Sequence, residues 1–121
     1  MTAENSKALF DKALDWIFRS KFQDVRARIA PFEGTKTFHS KRLGTSFTPD
    51  LSATRDGNKS FFEIVRNKEP EQLLAEKWQL LETLASRSGG RLYLFAPKGF
   101  KAFAEQVTAK FCIDAKIIYL I

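Results

Sequence analysis

Asp50, Glu63 and Lys77 are the residues whose types and spacing could do chemistry. The two acids flank Asp56-Gly57, the dipeptide that most strongly signals a two-residue hairpin turn, because both central positions need positive φ. With that turn, Arg55 faces Asn58 and, counting outward along the strands, Asp50 faces Glu63. Directly opposed side chains have Cβ atoms about 4.5–5.5 Å apart, and like charges there repel. The repulsion is relieved by raising one carboxyl pKa or by supplying a cation. A hard divalent ion such as Mg²⁺ suits the place, since it takes oxygen ligands and is often held by one or two carboxylates with waters and phosphate. A four-residue turn would instead put Asp50 opposite Val65 and leave both acids as ordinary surface groups.

Lys77 is odd for its position. Residues from Pro70 to about Arg87 read as a helix with Leu73, Leu74, Trp78, Leu80, Leu81, Leu84 and Ala85 on one broad face. At about 100° per residue that face centres near Lys77. Either its stem snorkels to water past Trp78, or its ammonium meets the carboxylates where the helix crosses the sheet. The central position favours the second, because a buried lysine needs a partner.

The rest of the chain supplies elements to hold these groups. Along Phe47–Thr54, apolar Phe47, Pro49, Leu51 and Ala53 alternate with Thr48, Asp50, Ser52 and Thr54, and Ser60–Val65 is rich in aromatic and β-branched residues, so both arms of the hairpin read as strands. Upstream, Phe10, Ala13, Leu14 and Ile17 recur at helical spacing, predicting a helix from Asn5 or Ser6 to Lys21. Phe22–Ile29 alternates with Arg26 and Arg28 outward, a short strand is expected near Thr35–Phe38, and His39–Gly44 is a basic loop carrying Lys41 and Arg42. Downstream, Arg91–Ala96 is a strand buried on both faces, Phe100–Phe111 a helix, and Ala115–Ile121 a final strand. The order predicts an α/β (mixed α+β) fold of one domain over residues 1–121. It has an N-terminal helix, a β-hairpin, then helix-strand-helix-strand around a mixed central sheet.

Composition narrows the chemistry. With 121 residues, 44% hydrophobic and 12 Phe, the chain suffices for one folded domain. No apolar run approaches the ~20 residues of a membrane span, and the polar start is no signal peptide, so a cytoplasmic protein without membrane contact is expected. Cys112 is the sole cysteine and His39 the sole histidine. That leaves no internal disulfide, no cysteine metal site and little material for a histidine zinc site or a Ser-His-Asp triad. Cys112 itself reads as a small core residue. The formal charge of +6 favours an anionic partner such as nucleic acid.

Asp50 after Pro49, a turn, Glu63 in an apolar strand, and a following helix, strand, helix and strand together resemble the PD-(D/E)xK phosphodiesterase superfamily, the restriction-endonuclease-like fold. The likeness in element order covers most of the chain; the motif is short. The resemblance implies a Mg²⁺- or Mn²⁺-dependent nuclease in which Asp50 and Glu63 bind metal with help from the Ile64 carbonyl, and a lysine orients or activates water. Glu63-Ile64-Val65 has valine where the family pattern has that lysine. Some members carry the lysine on the neighbouring helix, and Lys77 resembles such a replacement; others have lost catalysis and keep the fold for binding.

The expectation is therefore a metal-dependent nuclease with Asp50, Glu63 and Lys77 catalytic. Arg26, Arg28, Lys41 and Arg42 would hold a nucleic-acid backbone, DNA in the first instance, without reading bases. There is little room for a recognition domain, so a homodimer, a larger complex or structure-selective cutting is expected. The rivals are an inactive module of the same fold that binds nucleic acid or protein, and a structural protein in which the three charges form a buried ion network.

Overall fold

The computed structural model describes residues 3–42, 44–68 and 70–120, with side chains from residue 7 onward. Its elements are α1 (Ala3–Arg19), β1 (Gln23–Ala27), β2 (Phe38–Ser40), β3 (Thr45–Phe47), β4 (Leu51–Arg55), β5 (Asn58–Ile64), α2 (Glu71–Arg87), β6 (Gly89–Ala96), α3 (Lys101–Lys110) and β7 (Ala115–Tyr119). Five strands form a mixed sheet in the order β1-β4-β5-β6-β7, while β2 and β3 make a separate two-stranded ribbon. β1, β4 and β5 run antiparallel; β5, β6 and β7 run parallel.

Helices cover both sides of the sheet. Phe10, Ala13, Leu14 and Ile17 of α1 bury against Leu51, Ala53, Phe62, Ile64, Tyr93 and Phe95. The many phenylalanines are used here: Phe62 stacks on Tyr93 with ring centroids 5.0 Å apart, and Phe22 meets Phe62 edge-on at 5.2 Å. On the other side, Ala75, Trp78, Leu81 and Ala85 of α2 and Ala104 and Val107 of α3 pack on Phe61, Val65, Leu92 and Leu94. From Leu92 to Ala96, β6 is therefore buried on both faces, as its apolar run predicts, while Arg91 at the head of that run is exposed.

The hairpin has the predicted register: Arg55 pairs with Asn58 and Leu51 with Phe62. Asp56 and Gly57 have φ of 54° and 80°, so both central turn positions are left-handed as the dipeptide requires. Elsewhere the structure corrects several expectations. The first arm is not one strand from Phe47: β3 ends there, β4 starts at Leu51, and Thr48-Pro49-Asp50 lies between the two sheets. Pro49 offers no N–H to a ladder and favours extended backbone before it, which suits a crossover between sheets.

The strand expected near Thr35–Phe38 lies at Phe38–Ser40, so His39 and Ser40 belong to β2 and only the tip of the basic loop is a turn; Leu43 lies outside the described residues. β1 does not alternate cleanly, because Asp24 has φ 49° and the register shifts between Gln23 and Arg26, the mark of a bulge. α1 is already helical at Ala3, ahead of Asn5 and Ser6, whose side chains lie outside the described residues. Leu73, assigned to the apolar face of α2, is 44% exposed, since it lies round the helix from Ala75, Trp78, Leu81 and Ala85, which form the face that buries. Cys112 is exposed with φ 54° in the turn after α3, and Ile113 takes the buried place. The last strand ends at Tyr119, and Ile121 lies outside the described residues.

Candidate functional site

Glu63 alternates along β5 with Phe62 and Ile64, which face α1, and so projects toward α2. Asp50 lies one residue before β4, at the position opposite Glu63. Because the ladder stops at Leu51, the Asp50 N–H has no strand partner and donates to Glu63 Oε2 at 2.7 Å. Reciprocally, the Ile64 N–H donates to Asp50 Oδ2 at 3.0 Å. Each acid is thus held by the backbone next to the other. The Asp50 carbonyl accepts the Arg28 N–H at 3.0 Å, which ties β1 to the same point.

Two cations complete the group. Lys77 Nζ of α2 lies 2.7 Å from Glu63 Oε1, and Arg66 Nη2 lies 2.7 Å from Asp50 Oδ1. Asp50 and Glu63 are 1% and 4% exposed, and among the described residues no buried side-chain polar atom lacks a partner. Burial of two ionised carboxylates is costly unless they are paired and hydrogen-bonded, and here both conditions are met. The balance is still imperfect: desolvation first, and the neighbouring Asp50 charge second, push the Glu63 carboxyl up to about 7, against the lowering effect of Lys77 and of the Asp50 N–H. Burial, ahead of the Asp50 charge, thus keeps the ionised form of Glu63 costly even with both cations in place.

Asp50, Glu63 and Lys77 are brought together as the sequence predicts, with Lys77 bonded to Glu63. Ile64 lies beside them, with its N–H on Asp50 Oδ2. Val65 donates its N–H to the Phe95 carbonyl of β6, so the intervening Ile64 peptide groups point the other way, toward Asp50. Val65 itself is buried against α2, 2% exposed, and its side chain cannot supply a cation.

The predicted backbone contacts are scattered around this centre. Arg26 is exposed on β1, 3.5 Å from Glu33, and lines a groove with Ser52, Thr54 and Lys59 on the α2 side. Arg28 is exposed just past β1. Lys41 and Arg42 are exposed at the β2–β3 turn, where Arg42 borders a recess against Glu76 and Gln79 of α2. Sequence reasoning missed Arg66. Its signal was its place, the first charged residue after the apolar end of β5 and adjacent to the valine that interrupts the motif; a second acid also called for a second cation.

A divalent ion fits this donor set in kind: two carboxylates, one peptide carbonyl and water are hard oxygen ligands of the sort Mg²⁺ takes. Among the described residues no cluster of three or more His, Cys, Asp or Glu is arranged to hold a metal, so protein ligands beyond these would have to be backbone. No helix among the described residues is long and apolar enough to cross a membrane. Comparison with family models, curated proteins and solved structures gives no match to this chain.

Proposed function

We propose that the chain is a metal-dependent phosphodiesterase acting on nucleic acid, with a restriction-endonuclease-like core. The observation that carries this reading is the meeting of Lys77 and Glu63 at 2.7 Å beside Asp50. The lysine that the motif lacks at Val65 is supplied from α2 to the same carboxylate pair. The raised pKa of Glu63, from burial first and the Asp50 charge second, and the orientation of the Ile64 peptide support it further.

In this reading Asp50, Glu63 and the Ile64 carbonyl hold Mg²⁺ or Mn²⁺. The ion, when bound, lowers the pKa of water and polarises a phosphate oxygen. Lys77, held by Glu63, positions the nucleophilic water or stabilises charge developing on the phosphate. Arg66 keeps Asp50 neutralised at rest and, being 27% exposed on a long side chain, can turn outward to a phosphate oxygen when Asp50 takes the ion. Arg26 and Lys59 border the groove on the same face and would contact the backbone.

A second reading is favoured by the complete pairing of the four charges: a closed ion network that fixes how α2 docks on the sheet, in a module without catalysis. Incubation of the purified protein with mixed single- and double-stranded nucleic acid and Mg²⁺ or Mn²⁺ separates the two. Cleavage abolished by chelation, by Glu63→Gln and by Lys77→Met is the expected outcome. Absence of divalent binding together with a clear loss of stability in Asp50→Asn, which strands the Arg66 charge, would leave the structural network as the function of these residues.

A further inference from the structure

The α1 side of the sheet carries a second polar concavity at the opposite end from Asp50 and Glu63. Arg55 of β4 shares the face of Leu51 and Ala53, Arg91 of β6 that of Tyr93, and Lys116 of β7 is in register with Tyr93. α1 does not reach them, because it ends at Arg19 and the chain turns back through Lys21. The three cations therefore line an open hollow of about 410 Å³.

Among the described residues none of the three takes part in an ion pair. Of the acids, Asp56 in the hairpin turn alone lines the hollow. The Arg55 guanidinium is fixed by neutral partners: it sits 4.2 Å from the Phe22 ring centroid and donates to the Ser20 carbonyl at 3.0 Å and to the Tyr93 hydroxyl at 3.4 Å. Its position is set and its charge is not cancelled. Gly89 and Gly90 leave the floor bare. A Cβ at Gly90 would fall 1.9 Å from the Lys59 carbonyl oxygen, and one at Gly89 2.8 Å from Asn58 Oδ1.

Three cations with one acid among them leave the hollow net positive, and such a surface attracts an anion. The row spans three strand spacings, about 14 Å, which is wider than one carboxylate or one phosphate can bridge. Arginine's planar fork suits phosphate oxygens. We propose that this hollow binds linked phosphates, those of a polynucleotide segment or of a free polyphosphate chain, at a site separate from the carboxylate pair. Nothing in this assignment uses Asp50, Glu63 or Lys77, so it stands or falls apart from the proposed catalysis.

The test is a titration of ¹⁵N-labelled protein in chelator, once with tripolyphosphate and once with a short single-stranded oligodeoxynucleotide, with chloride at matched ionic strength as control. Saturable shifts of the Asn58, Gly89 and Gly90 amides with a phosphate probe but not with chloride are expected. Arg91→Glu with Lys116→Glu weakens binding at least tenfold, while Arg87→Glu leaves it unchanged. Both reversed residues are exposed, and the amide spectrum reports directly that the variant is folded. An oligonucleotide at least tenfold tighter than tripolyphosphate assigns the site to polynucleotide, and equal affinities assign it to free polyphosphate. Shifts that match those in chloride, or that persist in the double variant, overturn the proposal.

Discussion

Lys77 Nζ lies 2.7 Å from Glu63 Oε1 although the lysine is on α2 and the acid on β5. Replacing Lys77 by methionine keeps the stem's packing and removes the charge, which leaves Glu63 buried without its cation. The lost partner raises the Glu63 pKa further, so the damage grows with pH. Lys77→Met is expected to destabilise by about 2 kcal/mol at pH 8, reduced from the usual cost of breaking a buried pair because the ammonium is partly solvated, and by much less at pH 5.5. Urea midpoints at the two pH values check this; equal losses would mean that packing alone was disturbed.

Glu63 sets a pH dependence of its own. Its carboxyl is near 7 in the fold against a reference of 4.5, so the folded chain binds this proton more tightly than the unfolded chain. The associated stability is fully present below pH 4.5 and is lost as pH rises through 7. Relative to Glu63→Gln, the wild type should lose on the order of 3 kcal/mol across that window. Denaturant titrations of both proteins from pH 4 to 8.5 measure the difference, and parallel stability curves would contradict it.

Divalent-ion binding at the proposed site must displace the Glu63 proton. Mg²⁺ or Mn²⁺ affinity is expected to rise with pH up to about 7 and flatten above it, with release of about one proton at low pH. Asp50→Ala should abolish binding, and Arg66→Met should tighten it by removing the competing cation. Calorimetry in two buffers of different ionisation enthalpy reads the proton; a pH-independent affinity would remove Glu63 from the ligand set.

Gly90 is required by space. An alanine Cβ there would meet backbone, the Lys59 carbonyl, at 1.9 Å, and cannot be accommodated unless β6 separates from β5. Gly90→Ala should cost about 3 kcal/mol or more, the severe end of overpacking. Gly34→Ala, where nothing lies within 4 Å, should change stability by less than about 0.5 kcal/mol. Thermal melts of the pair provide the comparison.

Much of this arrangement was legible in the residues. Asp56-Gly57 specifies its turn through backbone sterics alone, and the turn fixes the register that opposes Asp50 and Glu63. Lys77 was legible as a charge among apolar positions, although the face that buries is Ala75, Trp78, Leu81 and Ala85, and Lys77 stands at its flank and not at its centre. The shift of β2, the bulge at Asp24 and the break at Pro49 were not, since each depends on which sheet a short segment joins, and pairing between distant segments leaves little trace in local periodicity. Arg66 escaped for a related reason: it lies past a strand end, where neither helical nor strand spacing says which way a side chain turns. Leu73 and Cys112 show the limit from the other side, residues of core type that the fold leaves exposed.

The Asp56-Gly57 turn is far from the carboxylates along the strands, yet it is their ruler. One residue inserted there would slide β4 against β5 by a single step, carry Asp50 to the opposite face, and set its charge toward the Phe62 and Ile64 side of the sheet. A change at an exposed tip that touches neither acid would thus erase the site and invert half the core together. Length at the turn is under tighter constraint than identity almost anywhere along the strands it joins.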